Sequence, residues 1–204
     1  MSNLFKYSKK EDILSDVEMR NELINAASGV FAKYGYKKTN MDDIAAVFGK
    51  GKTFIYYYFK NKEDIFQAVL TDEADKLLKA LSETAESESL PEKKLKKFVL
   101  VWANTLMELD NYYQIIKTEY FSNKDFFKTL REKIDEKQHE ILTSIFREGT
   151  ASGRFKKLDP EWVASTFFTA MKGFELPLLK RKSFEDIETR IDDLLNLLLN
   201  GLLA

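Results

Sequence analysis

The sequence predicts an all-α protein, and three observations carry that prediction. Only 8 Gly and 3 Pro are spread over 204 residues, too few breakers for the many turns of an all-β fold. Leu, Lys, Glu, Phe and Ala dominate the composition. The apolar residues recur every three to four positions, the period of a helix face and not of a strand. Apolar residues make up 44% and charged residues 32%, a balance that fits a globular chain and argues against disorder. The length suits a small head followed by a larger body.

About nine helices follow in order. Residues 1–15 are polar and mixed in charge, and are expected to form a loose arm. A first helix is expected from Asp16 to Tyr34, with Leu23, Ala26, Ala27, Val30 and Phe31 on its inner face. Gly35 then stands where a left-handed residue stops a helix at little cost. Asn40 reads as an N-cap, with Asp43 three residues on in a variant capping box. The short helix it opens carries Ile44, Ala45, Val47 and Phe48 and ends at Gly49. A third helix covers Lys52–Phe59. Asn61 caps a fourth, expected from Lys62 to Thr84 and ~35 Å long, enough to link two bodies.

The polar stretch Glu83–Glu92 marks the passage from head to body. Further helices are expected at 91–109, 111–122 and 124–151, the last closed by Gly149 and Gly153. Asp159-Pro160 opens another, with Asp as cap and Pro at the first position, ending near Leu176-Pro177. The final helix is expected from Phe184 to Leu202. The implied division is an arm at 1–15, a head at 16–66 and a helical body at 67–204.

Composition excludes several functions. There is no cysteine, hence no disulfide framework and no thiolate metal site. His139 stands alone, so no multi-histidine site can form, and no metal or cofactor is expected. No paired carboxylates, nucleophile triad or metal cluster stands out, so no catalytic residue is assigned. Neither a signal peptide nor a run of ~18 apolar residues is seen, and a cytoplasmic protein away from membranes is expected. Ala46 to Thr53 satisfies a relaxed phosphate-loop pattern, but no strand precedes it and a helix fills its first half.

Charge is distributed unevenly. From Lys33 to Lys62 there are seven lysines against two aspartates, a net +5. Residues 67–204 carry 21 basic and 24 acidic side chains, a net −3. A basic head on an acidic body suits a polyanion at one end, although a solvated lysine-rich surface has the same composition.

The segment Asn40–Phe59 places a helix, a tight glycine turn and a second helix in succession, the helix-turn-helix pattern. On a wheel of the third helix, Ile55 and Phe59 face inward. Thr53, Phe54 and Tyr57 cluster on the opposite face, and Tyr56 and Tyr58 lie on the flanks. A helix in a major groove uses its outer face for base edges and its flanks for phosphates. Five aromatics in six positions cannot all be core on one short helix. Lys62, opening the next helix, is placed to meet a phosphate together with the helix N-terminal amides.

At these residues the chain resembles the N-terminal domain of TetR-family repressors. The likeness runs through Arg20-x-x-Leu23-Ile24-x-Ala26-Ala27, Phe31-Ala32-x-Tyr34-Gly35-Tyr36 and Asp43-Ile44-Ala45. It continues from Phe54-Ile55-Tyr56-Tyr57-Tyr58-Phe59 through Lys60-Asn61-Lys62-Glu63. It implies phosphate contacts at Tyr56 and Lys62, and base-facing positions at Lys52, Thr53, Phe54 and Tyr57. Asn40 and Met41 match the start of the helix that crosses the DNA backbone. Lys50 and Gly51 depart from the small apolar residue and the serine common there.

The body is expected to sense and to dimerise. Val163, Phe167, Ala170, Met171 and Phe174 on one helix, with Ile187, Ile191, Leu194, Leu195, Leu198, Leu199 and Leu202 on the last, give wide apolar faces. Two copies of such a pair form the family's four-helix interface. The expected interface therefore includes Val163, Phe167, Phe174, Ile187, Ile191, Leu194 and Leu198. The resemblance also implies an effector pocket among large side chains, with Trp102, Tyr112, Tyr113, Tyr120, Phe121, Phe146, Phe167 and Met171 as candidates. Such a lining suits a small hydrophobic or amphipathic effector. The expected function is a dimeric, ligand-responsive regulator, a repressor reading a palindromic double-stranded DNA operator. The competing expectation is a small-molecule-binding or adaptor protein whose head no longer binds DNA.

Overall fold

The computed structural model describes residues 2–111 and 124–180, with Thr189, residues 191–193, 195 and 196, and Asn200 beyond them. Seven helices are complete among the described residues: α1 (Ser2–Tyr34), α2 (Met41–Phe48), α3 (Lys52–Tyr58), α4 (Lys62–Ser87), α5 (Pro91–Glu108), α6 (Lys124–Ala151) and α7 (Pro160–Lys180). The described residues from Thr189 onward are helical too. The helix expected at 111–122 falls almost wholly outside the described residues.

Two boundaries differ from expectation. Residues 2–15 are helical and continue α1, where a loose arm was expected. That stretch contains neither Gly nor Pro, so no breaker stops the helix from extending beyond Asp16. The helix expected to end near Leu176-Pro177 runs on to Lys180. Pro177 has no amide to give to the carbonyl four residues back, yet the helix continues three residues past it.

In the head, Leu23, Ala27 and Phe31 of α1 meet Ile44 of α2, Ile55 of α3, Phe59 and Ile65 of α4, all nearly inaccessible. Phe31, Tyr36 and Phe66 close one side, with ring centroids 4.7 Å apart for Phe31–Phe66 and 4.6 Å for Tyr36–Phe66. Each large side chain so buried contributes ~1.5–3 kcal/mol. α4 then passes from head to body, burying Leu77 and Leu81 against the body helices. Leu95, Phe98 and Trp102 of α5, Ile134, Leu142 and Phe146 of α6, and Phe167 and Met171 of α7 complete one continuous core.

A polar joint fastens head to body. Asn111, fully buried after α5, donates through Nδ2 to the Ser28 carbonyl (3.2 Å), to Ser28 Oγ (2.9 Å) and to Glu73 Oε1 (2.8 Å). Three elements distant in sequence thus share one amide.

α6 and α7 are antiparallel neighbours, and their register is set by side-chain pairs. Arg131 meets Glu175 at 2.8 Å, Lys172 meets Asp135 at 3.0 Å, and Arg147 meets Glu161 at 3.1 Å. His139 stacks edge-on to Phe168 at 6.3 Å. Just past α6 the chain folds back so that the Phe155 ring lies on Gly149. A Cβ at that glycine would fall 2.1 Å from Phe155 Cδ2.

Candidate nucleic-acid interface

The turn is built from its caps. Asn40 Oδ1 accepts from the Asp42 and Asp43 amides at 2.8 and 3.0 Å, and Asp43 Oδ2 accepts from the Asn40 amide at 2.8 Å. The capping box read from the sequence is therefore complete. Gly49 ends α2 at φ 73°, a left-handed conformation that favours glycine, and the Gly49 and Lys50 amides both donate to the Ala45 carbonyl. Gly51 opens α3 without a side-chain cap, and only its carbonyl engages, accepting from the Phe54 amide at 2.9 Å. With no side chain there, α3 leans on its packing.

That packing fixes which face of α3 looks out. Ile55 and Phe59 are sealed in the core, while Lys52, Thr53, Tyr56 and Tyr57 are exposed, Tyr57 at 72%. Two expected outward residues are placed differently. Phe54 is half-buried, stacked on Phe48 across the turn at 6.0 Å and tilted against Tyr58 at 5.3 Å. Tyr58 is half-buried as well, and its hydroxyl donates to Asp16 Oδ1 at 3.0 Å, tying α3 to α1. Burial first, then that hydrogen bond, raises the Tyr58 pKa above its ordinary value.

Met41 is turned into the core, because capping by Asn40 puts the first residue of α2 on the same face as Ile44 and Ala45. Its side chain does not reach the surface. Val47, grouped with the apolar residues of that helix, is instead 63% exposed beside the turn. A wheel of α2 alone, started at Met41, finds this.

The charges around α3 are partly engaged. Lys52 Nζ pairs with Asp42 Oδ2 at 2.9 Å across the turn, and that hydrogen bond and charge raise the Lys52 pKa. Lys37, Lys38, Lys50 and Lys60 are exposed on the same head. Lys62 is half-buried and points inward. Its ammonium donates to the carbonyls of Tyr36 (2.8 Å) and Thr39 (2.9 Å), and sits 4.4 Å from the centroid of the Tyr36 ring. It braces the turn that delivers Asn40 to its capping position.

In the body, Trp102, Phe146, Phe167 and Met171 are all buried. Phe146 and Phe167 are in ring contact at 5.6 Å. Tyr112, Tyr113, Tyr120 and Phe121 lie outside the described residues. Among the expected interface residues, Val163, Phe167 and Ile191 face the chain's own core, whereas Phe174 is exposed. The stripe 163–164–167–171 of α7 is buried within the chain. Ile187, Leu194 and Leu198 lie outside the described residues.

A capped tight turn presenting a short helix with exposed tyrosines, Thr and Lys defines a helix-turn-helix regulator that binds DNA. The family model for bacterial regulatory proteins of the tetR family matches residues 23–69. The family model, the curated relatives and the structural neighbours together support a transcriptional regulator of the TetR/AcrR type. It is 28% identical to the helix-turn-helix regulator YhgD of Bacillus subtilis over 152 residues, 72% of this chain and 78% of that protein. The crystal structure of a transcriptional regulator from Cytophaga hutchinsonii superposes with a TM-score of 0.77 at 26% identity, covering 90% of this chain and 98% of that one. The regulator FadR of Bacillus subtilis, solved in complex with stearoyl-CoA, superposes with a TM-score of 0.69 at 25% identity, covering 88% and 97%. These likenesses support a regulator and give no support to an adaptor with an idle head.

Proposed function

We propose that the chain represses transcription as a homodimer that seats its two α3 helices in successive major grooves of a palindromic operator, and releases it when an effector enters the body. The outer face of α3 carries this reading: Thr53 and Tyr57 stand clear of the core, with Tyr56 and Lys52 beside them. In this arrangement Thr53 and Tyr57 meet base edges, and Tyr56 donates to a phosphate. The exposed lysines supply the salt-dependent part of the affinity. Such binding takes place in the cytoplasm, and no helix among the described residues is long and apolar enough to cross a membrane.

The second copy is proposed to cover the free stripe of α7. Trp162 stands there, 64% exposed, in line with Thr166 and Thr169, while Phe174 is 40% exposed further along the helix. Both hydroxyls already donate to carbonyls of their own helix, at 2.9 and 2.8 Å, so covering them strands no polar group. An effector with an apolar body suits the aromatic core of α5, α6 and α7, and FadR's stearoyl-CoA is an amphipathic molecule of that kind. Selection of bound DNA from a random pool at physiological salt tests the proposal. Inverted repeats with half-sites about one helical turn apart, or a multiple of it, are expected. Enrichment of asymmetric sequences, or none, overturns it.

A further inference from the structure

Three buried side-chain oxygens among the described residues accept no hydrogen bond, Gln138 Oε1, Glu175 Oε1 and Asp192 Oδ1, and of these three side chains the two carboxylates have an ion-pair partner. Gln138, on α6, is 1% exposed, and its Oε1 accepts no hydrogen bond. The other buried polar side chains among the described residues are engaged. Thr39 and Thr84 donate to backbone carbonyls, Asn111 to Glu73, Thr143 to Glu161, and Glu175 accepts from Arg131. An amide shut away from water with nothing to bind destabilises the fold, so such groups are rare unless something else meets them.

The position of Gln138 narrows what that something is. His139–Phe168 and Asp135–Lys172 bracket it along α6, which sets it opposite Thr169, within one helical turn of Met171 on α7. Met171 is buried in the apolar core that also holds Trp102 and Phe167. Three and seven residues earlier on α6 stand Asp135 and Arg131, which with Lys172 and Glu175 of α7 form a charged cluster, two positive and two negative, that balances itself. No hydrogen bond from that cluster reaches the Gln138 oxygen.

We infer that the Gln138 amide is the hydrogen-bonding anchor for the effector, and that it selects an uncharged group on an apolar body: an alcohol, amide, ester or thioester. The amide can turn to offer either its oxygen or its nitrogen, so it serves a donor or an acceptor alike. It offers no charge, so a carboxylate or ammonium would be desolvated without compensation. This inference rests on the proposed effector site in the body. It adds which residue recognises the ligand and which chemical class is admitted.

The test uses the full chain and three ten-carbon probes, n-decanol, decanoate and decylammonium, with binding read by calorimetry. Saturable binding of n-decanol is expected, at least tenfold tighter than either charged probe. Gln138→Met, which keeps length and shape but has no polar atom, is expected to weaken n-decanol at least tenfold. The unliganded variant is expected to melt no lower than the parent, because no hydrogen bond is lost. A melting temperature lower by several degrees means that the amide has a structural partner and overturns the inference. So does unchanged n-decanol binding in the variant, equal binding of the charged probes, or no saturable n-decanol binding in the parent. Operator binding, followed separately by fluorescence anisotropy, tells the two failures apart. Operator binding without probe binding sinks only the anchor, and probe binding without operator binding sinks only the repressor reading.

Discussion

Replacing Lys62 by Met separates two physical roles that the same residue can play. Its ammonium makes two short charge-assisted bonds, to the Tyr36 and Thr39 carbonyls at 2.8 and 2.9 Å, and rests on the Tyr36 ring. Bonds of this type contribute ~1.5–3 kcal/mol each when well shielded. These carbonyls are only part-buried, and water replaces the lost donor in the variant, so the pair together is worth about 2 kcal/mol. For a chain of this length that lowers the melting temperature by roughly 4–8 °C. Methionine keeps the aliphatic packing, so the loss reports the ammonium alone. Differential scanning calorimetry measures the first quantity. The salt dependence of operator affinity, at a temperature where both proteins are folded, measures the second. A brace leaves the slope of log affinity against log salt unchanged. A direct phosphate contact removes about 0.9 from that slope per lysine, or nearly 2 per dimer. An unchanged melting temperature with a slope smaller by about 2 would refute the brace and restore Lys62 to the DNA surface.

Three further outcomes are expected. Asp42→Asn frees Lys52 from its 2.9 Å pair and removes a negative charge from the DNA-facing side of the turn. Operator binding should tighten about 2–5-fold at low salt, the equivalent of one exposed ion pair, and the gain should vanish in high salt. Gly149→Ala drives a Cβ into the Phe155 ring, and urea denaturation should show a loss of about 1–3 kcal/mol, much reduced in a Phe155→Leu background. Glu92 is held below its usual pKa of 4.5, first by its hydrogen bond to Arg154. A lowered carboxylate pKa adds stability that is present above the unfolded value and fades as pH falls through the folded one. Glu92→Gln should therefore be less stable than the parent at pH 7, by under about 1 kcal/mol for a pair whose Arg154 is solvent-screened, and the gap should shrink as the pH falls below the usual carboxylate range. A gap that persists in acid assigns the effect to packing.

The head was legible because its signals are local. A cap and its partner three residues away, a glycine at a left-handed position and the alternation of Ile55 and Phe59 with exposed tyrosines are all read within one turn of helix. What stayed hidden depends on distant neighbours. Phe54 is covered by Phe48 from across the turn, which a wheel of α3 alone does not contain. Lys62 is drawn inward by carbonyls about 25 residues earlier, and Tyr58 by Asp16, 42 residues away. In the body, a wide apolar face does not say which half serves the chain itself. Val163 and Phe167 are buried, whereas Phe174, at nearly the same angle on the helix but further along it, is exposed. Helix limits were less legible, since Pro177 reads as a breaker in the sequence and the helix nevertheless runs on to Lys180.

The Asn111 joint bears on how the chain becomes a folded molecule. Ser28 lies 83 residues before the amide that satisfies it, and Glu73, the third member, sits on α4 beyond the DNA-reading segment. The N-terminal end cannot complete its own hydrogen bonding until α5 has been synthesised and laid against it. Contacts at such separation slow folding, and they also make it cooperative, because neither half reaches its full stability alone. A fragment cut after residue 66 would keep its capped turn but lose Asn111, Glu73 and the apolar cover that Val69 and Leu70 provide. Such a fragment would be a poor stand-in for the head, and operator studies on this protein call for the whole chain.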